Sequence, residues 1–328
     1  MKAVVITGWG RNPRLVVREM PEPGEPGPDD VVVQVRAASV NPKDWKLNYH
    51  LALLATPMLS RRLPPLFGDD LAGTVIATGR NVSDFEVGDA VYGMDMNLRT
   101  ASLAERTRIK QTCITRKPAS LSFRQAAAMP LAALTALQGL RKGRARAGGK
   151  VLIIGASGGV GTFAVQIARA LGARVTGVCS GRNTDFVRNL GADEVIDYTL
   201  GDYRHGAGTF DLVFDVAANE SPRGCVDLIA PGGWFISTGG HARSMLGTSI
   251  YRMLGRNAAN IMVAPRRKDL EILSALVDEG KLRPVIDSEF DLADIEQAYQ
   301  RSRTGRCRGK VVIGVAEEGP SGPVSDEL

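Results

Sequence analysis

A short β-branched run that ends in glycines and opens into a helix constrains this chain most: Val151-Leu-Ile-Ile-Gly-Ala-Ser-Gly-Gly-Val-Gly161. Residues 151–154 have the make-up of a buried parallel strand, and Thr162-Phe-Ala-Val-Gln-Ile-Ala-Arg-Ala-Leu171 follows with helical periodicity. Glycines placed there let the backbone approach a pyrophosphate. The helix N-terminus supplies N–H donors and the positive end of a dipole. Ala156 stands where the fingerprint has its first glycine, so the candidate phosphate cradle is Ala156, Ser157, Gly158, Gly159, Val160 and Gly161. A ligand-free strand-to-helix turn could carry the same glycines; the strand before and the helix after favour a dinucleotide.

The next strand, 174–179, is followed by Ser180-Gly181-Arg182-Asn183. A chain selective for NAD offers an acid at this place to bind the ribose 2′-hydroxyl. Here a hydroxyl and a guanidinium stand ready for a 2′-phosphate, so NADPH is the expected cofactor. Tyr198, after the third strand, is a candidate for the border of the same pocket. Arg182 also reads as an ordinary solvated residue of a first helical turn.

The rhythm of the chain changes near residue 120. Before it, short alternating segments (2–7, 15–20, 31–37, 73–78, 90–92, 103–109) are separated by turn residues such as Pro21-Glu-Pro-Gly-Glu-Pro-Gly-Pro28, which predicts a small barrel-like β unit. From 122 the pattern alternates: helix 122–141, strand 151–154, helix 160–171, strand 174–179, helix 184–190 and strand 194–198. It continues with strand 210–216, helix 221–229, strand 234–238, strand 260–264 and helix 266–280. That is the order of an α/β doubly wound parallel sheet. Strand 285–290, a short helix at 293–302 and strand 310–315 then return to β character. The predicted division is a discontinuous domain of 1–121 with 266–328, and a nucleotide domain of 122–265; a chain of 328 residues has room for both cores.

Charge and cysteine usage narrow the function. A formal net charge of +6 raises the question of nucleic acid, but aromatic residues are only 5% of the chain and do not interleave with its arginine clusters, which argues against a stacking platform. No nucleic-acid partner is expected. No apolar run reaches the roughly 18 residues a membrane span needs, so no membrane partner is expected either. Four cysteines without metal or disulfide spacing suit a reducing compartment, and the cytoplasm is the expected location. His50, His205 and His241 are the only histidines and show no ligand spacing.

Further motifs extend over nearly the whole chain: Val40-Asn-Pro-Lys-Asp-Trp45, Gly68-Asp-Asp-Leu-Ala-Gly73, Val87-Gly-Asp-Ala-Val-Tyr92 and Gly309-Lys-Val-Val-Ile313. With the glycine turn, they make the chain resemble the medium-chain dehydrogenase/reductase superfamily, and within it the zinc-independent quinone oxidoreductases of the zeta-crystallin type. The resemblance implies a GroES-like β-barrel domain joined to a Rossmann domain, with the cofactor between them. Zinc-dependent members use a cysteine and a histidine where this chain has Asn41 and Asp69. An amide is a poor zinc ligand, so no catalytic metal is expected. Asp69 and Asp70 read first as turn and interface hydrogen-bonding residues, and second as a metal or acid/base pair.

Without a Lewis acid, hydride transfer to an electron-poor acceptor is easier than alcohol oxidation. The expected substrate is a small-molecule quinone or α,β-unsaturated carbonyl (enone). The resemblance implies Asn41 beside nicotinamide and substrate, Thr135 near the nicotinamide side, and Lys310 at the cofactor phosphates or ribose. It also implies that Thr238, Gly239 and Gly240 flank the carboxamide. Asn41 also reads as a turn cap, and Thr135 as a helix residue bonding its own backbone. Tyr49 is the best-placed proton donor by sequence, although it reads first as a surface or pocket-wall tyrosine, and solvent is an alternative source of the proton. The apolar segment 51–67 is a pocket wall, a lid or a subunit contact, and the apolar stretch 244–254 shares that ambiguity. The family often forms homodimers through Rossmann edge strands, for which 260–264 is a candidate. Two other readings stay open: an NADPH-binding structural or interaction protein with little catalysis, and an enoyl-thioester reductase.

Overall fold

The structure is a computed structural model that describes residues 1–7, 14–46, 68–96, 102–239 and 242–316. Tyr49, Gly240, His50, His241 and the segment 51–67 lie outside the described residues.

Among the described residues the first part of the chain is β-rich. β1 (Lys2–Thr7) and β2 (Arg14–Glu19) pair antiparallel as a separate ribbon. β3 (Asp30–Val40) is the spine of a seven-stranded sheet. It pairs with β4 (Asp70–Thr78) and β6 (Arg106–Lys110), and β4 continues to β5 (Ala90–Met94) and β7 (Ile114–Arg116). Val31, Val33 and Val35 alternate inward against Leu71, Val75, Val91 and Ile109, the period-2 burial that the sequence shows. One short helix, α1 (Lys43–Lys46), follows β3 directly.

The predicted helix 122–141 is two helices, α2 (Phe123–Ala127) and α3 (Pro130–Lys142). Pro130 lacks an N–H and sits at the first position of α3, so the ladder breaks before it. β8 (Lys150–Ile154), β9 (Arg174–Cys179), β10 (Glu194–Asp197), β11 (Phe210–Asp215), β12 (Ile229–Ser237) and β13 (Ala258–Asn260) form a second sheet in the order β10-β9-β8-β11-β12-β13. All its pairings are parallel, and the chain order reverses between β8 and β11. α4 (Gly159–Ala170) and α5 (Thr184–Asn189) cover it as the sequence predicts. The predicted helix 221–229 is instead a series of turns with a single 3-10 turn at Val226–Leu228, because Pro222 and Gly224 interrupt any ladder there. The strand expected at 260–264 ends at Asn260.

The 244–254 stretch lies in α6 (Ala242–Met253), where Leu246, Ile250 and Met253 face outward beside Leu254 and Met262. After α7 (Arg267–Asp278), β14 (Ile286–Asp291), α8 (Ile295–Arg303) and β15 (Lys310–Gly314), the chain is back in the seven-stranded sheet, with β15 antiparallel to β3. That return decides the site. It brings Gly309 against Gly158 as a parallel bridge, with the Gly309 N–H donating to the Ser157 carbonyl at 3.1 Å.

Candidate active site

The glycine turn leaves β8 at Gly155, whose φ of +89° is open to glycine, and enters α4 with Gly158 as the N-cap. A Cβ on Gly158 would meet nothing closer than the Gly155 carbonyl at 3.5 Å, so the space over it is open. A Cβ on Gly161 would strike the Gly155 carbonyl oxygen at 2.2 Å and the Ala156 backbone at 2.7 Å. One glycine keeps a ligand surface clear, and the other lets helix and strand close-pack.

Ser180, Arg182 and Tyr198 gather at the C-terminal ends of β9 and β10. Asn183 donates through Nδ2 to Ser157 Oγ at 3.0 Å and to Ser180 Oγ at 3.3 Å. A residue that the sequence reading missed joins them across the crevice. Arg308 donates through Nε to Asn183 Oδ1 and through Nη2 to the Arg182 carbonyl, both at 2.6 Å. With Arg306, Arg301, Thr304 and Asp287 these arginines line a cleft of about 780 Å³. Asp287 holds Arg301 in a bidentate pair with both distances 2.7 Å, leaving the cleft net positive. No local sequence pattern signals Arg308, since it lies 126 residues from Arg182. Besides Asp287, the Asp197 carboxylate approaches this end, held below its ordinary range by the Thr199 hydroxyl and N–H and by the Gly181 N–H.

At the other end, β3, α1, β4, α3 and β15 converge. Asp70 is fully buried and accepts four hydrogen bonds. The donors are Ser39 Oγ at 2.6 Å, Asn41 Nδ2 at 2.9 Å, Lys310 Nζ at 3.1 Å and the Leu131 N–H at 2.7 Å. The last is in the first turn of α3, where a negative group also meets the positive end of the helix dipole. Lys310 passes beside Gly159, places its ammonium on Asn41 Oδ1 as well, and is itself buried. Asn41 is therefore locked: its carbonyl faces a cation and one amide hydrogen faces a carboxylate. Its second Nδ2 hydrogen is given no partner by these bonds. Thr135 bonds its own helix, donating to the Leu131 carbonyl at 2.7 Å. Thr238 closes the end of β12, with its N–H on the Asp215 carbonyl, and Gly239 follows with a φ of +61°.

Asp69 lies beside this network but outside it. Its carboxylate is ion-paired with the Lys43 ammonium. Asp44 is close by and accepts the Asn41 N–H at 2.8 Å. Burial first, and then the Asp44 charge, push Asp69 up to about 7, against the pull of Lys43. Burial raises Asp44 to about 6, opposed by the Asn41 N–H and the Lys43 and Lys310 charges.

Sequence comparison matches this architecture along the chain. Residues 27–138 fit the alcohol dehydrogenase GroES-like domain, and residues 190–313 fit the zinc-binding dehydrogenase model. The chloroplast envelope quinone oxidoreductase homolog of Arabidopsis thaliana is 32% identical over 88% of this chain and 90% of its own length. This chain belongs to the medium-chain dehydrogenase/reductase family. Human NAD(P)H oxidoreductase RTN4IP1, mitochondrial, is 32% identical over 96% of this chain and 89% of its own. The solved quinone oxidoreductase of Coxiella burnetii superposes with a TM-score of 0.85 at 31% identity, covering 96% of this chain and 99% of that one. The family's GroES-like unit is the β3-centred sheet here, and its Rossmann-like unit is the parallel sheet. No helix among the described residues is long and apolar enough to cross a membrane. The location words in these relatives' names are mitochondrial and chloroplast, which lends no support to the cytoplasmic expectation.

Proposed function

We propose that the chain is an NADPH-dependent, zinc-independent reductase of quinones or α,β-unsaturated carbonyls. At the coarser level, its family and its relatives named NAD(P)H and quinone oxidoreductases make it a nicotinamide-dependent oxidoreductase. The observation that carries the finer reading is the Asn41–Lys310–Asp70 network. Where zinc-dependent members place a cysteine ligand, Asn41 has its carbonyl turned to an ammonium. Where they place a histidine, Asp69 is paired with a second ammonium. The Asn41 amide is already taken by Lys310 and Asp70, and an amide is a poor zinc ligand, so the residues do not fit zinc.

The residues do fit a dinucleotide phosphate. Gly158, Gly159 and Val160 are half-buried at the N-terminus of a 12-residue helix, with open space over Gly158. Ser180, Arg182 and Arg308 supply hydroxyl and guanidinium donors suited to a 2′-phosphate. When bound, the reduced nicotinamide supplies the hydride. Thr238 and Gly239, at the end of β12, are the residues that would border its ring. The second Nδ2 hydrogen of Asn41, which has no partner among the described residues, and the Lys310 charge behind it are disposed to stabilise an oxyanion on the acceptor, fixed before reaction and screened from water. Tyr49 and Gly240 keep their proposed roles, as proton donor and carboxamide neighbour. We retain the division into 1–121 with 266–328 and 122–265, and the homodimer, for which β13 at the sheet edge and the apolar face of α6 are the supporting features.

The test is NADPH oxidation at 340 nm against quinones, enones and enoyl thioesters, with NADH and chelator controls. Chelator-resistant, NADPH-preferring turnover of quinones or enones supports the reading. Tight NADPH binding without any turnover moves the protein to a binding role and sinks the reductase reading.

A further inference from the structure

We propose that Arg308 sets cofactor specificity from the acceptor side of the crevice, joining Arg182 on a single 2′-phosphate and so fastening the two units together; this rests on the NADPH reading above. Three consecutive residues carry the inference. Arg308 spans the crevice to the Arg182 carbonyl and to Asn183 Oδ1, each at 2.6 Å. Gly309 bridges to Gly158 and donates its N–H to the Ser157 carbonyl. Lys310 places its ammonium on Asn41 and Asp70. One short segment thus touches the nucleotide rim, the glycine turn and the acceptor network in turn.

That segment is stiff. Gly309 has a φ of +86°, and a Cβ on it would strike the Val285 carbonyl oxygen at 2.2 Å. The Lys310 N–H donates to the same carbonyl at 2.9 Å, and the Arg308 N–H donates to Asp287 Oδ1 at 2.7 Å. A pull on the Arg308 side chain therefore reaches Lys310 through close-packed backbone with little freedom to absorb it.

The rim is short of an anion. Arg182 comes from the parallel-sheet unit, while Arg306 and Arg308 come from the loop between α8 and β15. The guanidinium groups of Arg182 and Arg306 hold no ion pair or hydrogen bond among the described residues. Asp287, the one carboxylate among the residues lining the cleft, is occupied by Arg301 and by the Arg308 N–H. Arg308 spends two of its five N–H groups on Asn183 and the Arg182 carbonyl, which leaves the others for a ligand. Unfilled guanidinium forks converging from two units suit a dianion with several oxygens, and a 2′-phosphate is one. A 2′-hydroxyl in its place gives Arg308 no charge to hold. Discrimination between the two cofactors is therefore expressed in kcat as well as in binding, because the segment that holds the phosphate also carries Lys310.

The experiment uses the full chain, with adenosine 2′,5′-bisphosphate and AMP as probes that differ only in the 2′-phosphate. Their affinities are measured by calorimetry, and backbone amide exchange is followed at 181–183 and 308–310. The parent should bind the bisphosphate about 100-fold more tightly than AMP. The bisphosphate, and not AMP, should slow exchange in both segments. Arg308→Met should lose about tenfold in bisphosphate affinity. Arg308→Lys keeps the charge but not the fork, so it should retain more of that affinity and lose the added protection at 308–310. In the same variant the ratio of kcat with NADPH to kcat with NADH, measured on whichever acceptor is reduced, should fall towards one. A merely structural role lowers both rates together and leaves the ratio where it was. Equal protection of 308–310 by the two probes, or a parent-like ratio in Arg308→Lys, overturns the assignment, and the NADPH reading stands if the bisphosphate still binds more tightly. Equal binding of the two probes by the parent overturns the NADPH reading itself.

Discussion

The crevice between the two sheets has a nucleotide end built of backbone and an acceptor end built of buried charge. At the glycine turn, the working groups are N–H donors of a helix terminus, and the arginines beside them are exposed. At the acceptor end, Asp70, Lys310 and Asn41 are all nearly inaccessible and satisfy one another. Exposed charges interact weakly and give selectivity at little cost in stability. Buried ones must be paired in full, so each becomes structural as well as functional.

The sharpest way to break this contrast is Lys310→Ala. It strands the Asp70 carboxylate without its cation and removes the donor to Asn41. The expected loss is about 3–5 kcal/mol of unfolding free energy, measured by denaturant titration. A double variant, Lys310→Met with Asp70→Asn, should recover much of it; no recovery would mean the pair is not the source of the loss. Next in size, Gly161→Ala forces a methyl onto backbone and should cost about 3 kcal/mol of stability. Gly158→Ala, with open space above it, should keep the thermal midpoint and weaken cofactor binding instead.

Asp69→Asn gives a smaller effect that depends on pH. The folded protein raises this carboxyl from 3.8 to about 7. A raised carboxyl contributes its stability fully below the unfolded value and loses it as pH rises through the folded one. The variant should therefore be more stable than the parent at pH 8, by about 2 kcal/mol, and should show little gain at pH 4. Equal midpoints at pH 8 would contradict the burial argument. Smallest of all, Arg182→Gln should weaken NADP⁺ binding about tenfold and leave NAD⁺ unchanged in a fluorescence titration. An equal loss for both cofactors would remove Arg182 from the 2′-phosphate end.

Legibility in the sequence follows the same divide. The glycine turn is local: strand, turn and helix are contiguous, and their periodicities show which residues face inward. Asn41 and Lys310 could be named as candidates from their motifs, but their mutual bond joins residues 269 positions apart. Helix 221–229 failed as a prediction because its apolar spacing hid the breaking effect of Pro222. Arg308 had no signal at all, being one of several arginines in a basic segment.

By itself the sequence determined the parallel sheet, the β-rich unit, the glycine cradle and the absence of a cysteine–histidine pair at the family's zinc positions. Each of these depends on residue type at short spacing, where sterics and hydrophobic periodicity act directly. Only the tertiary structure decided that Asp69 and Asp70 differ. Their environments come from β3, α1, α3 and β15 together, and the field on a buried carboxyl is set by those distant charges and by exclusion of water, which no local pattern encodes.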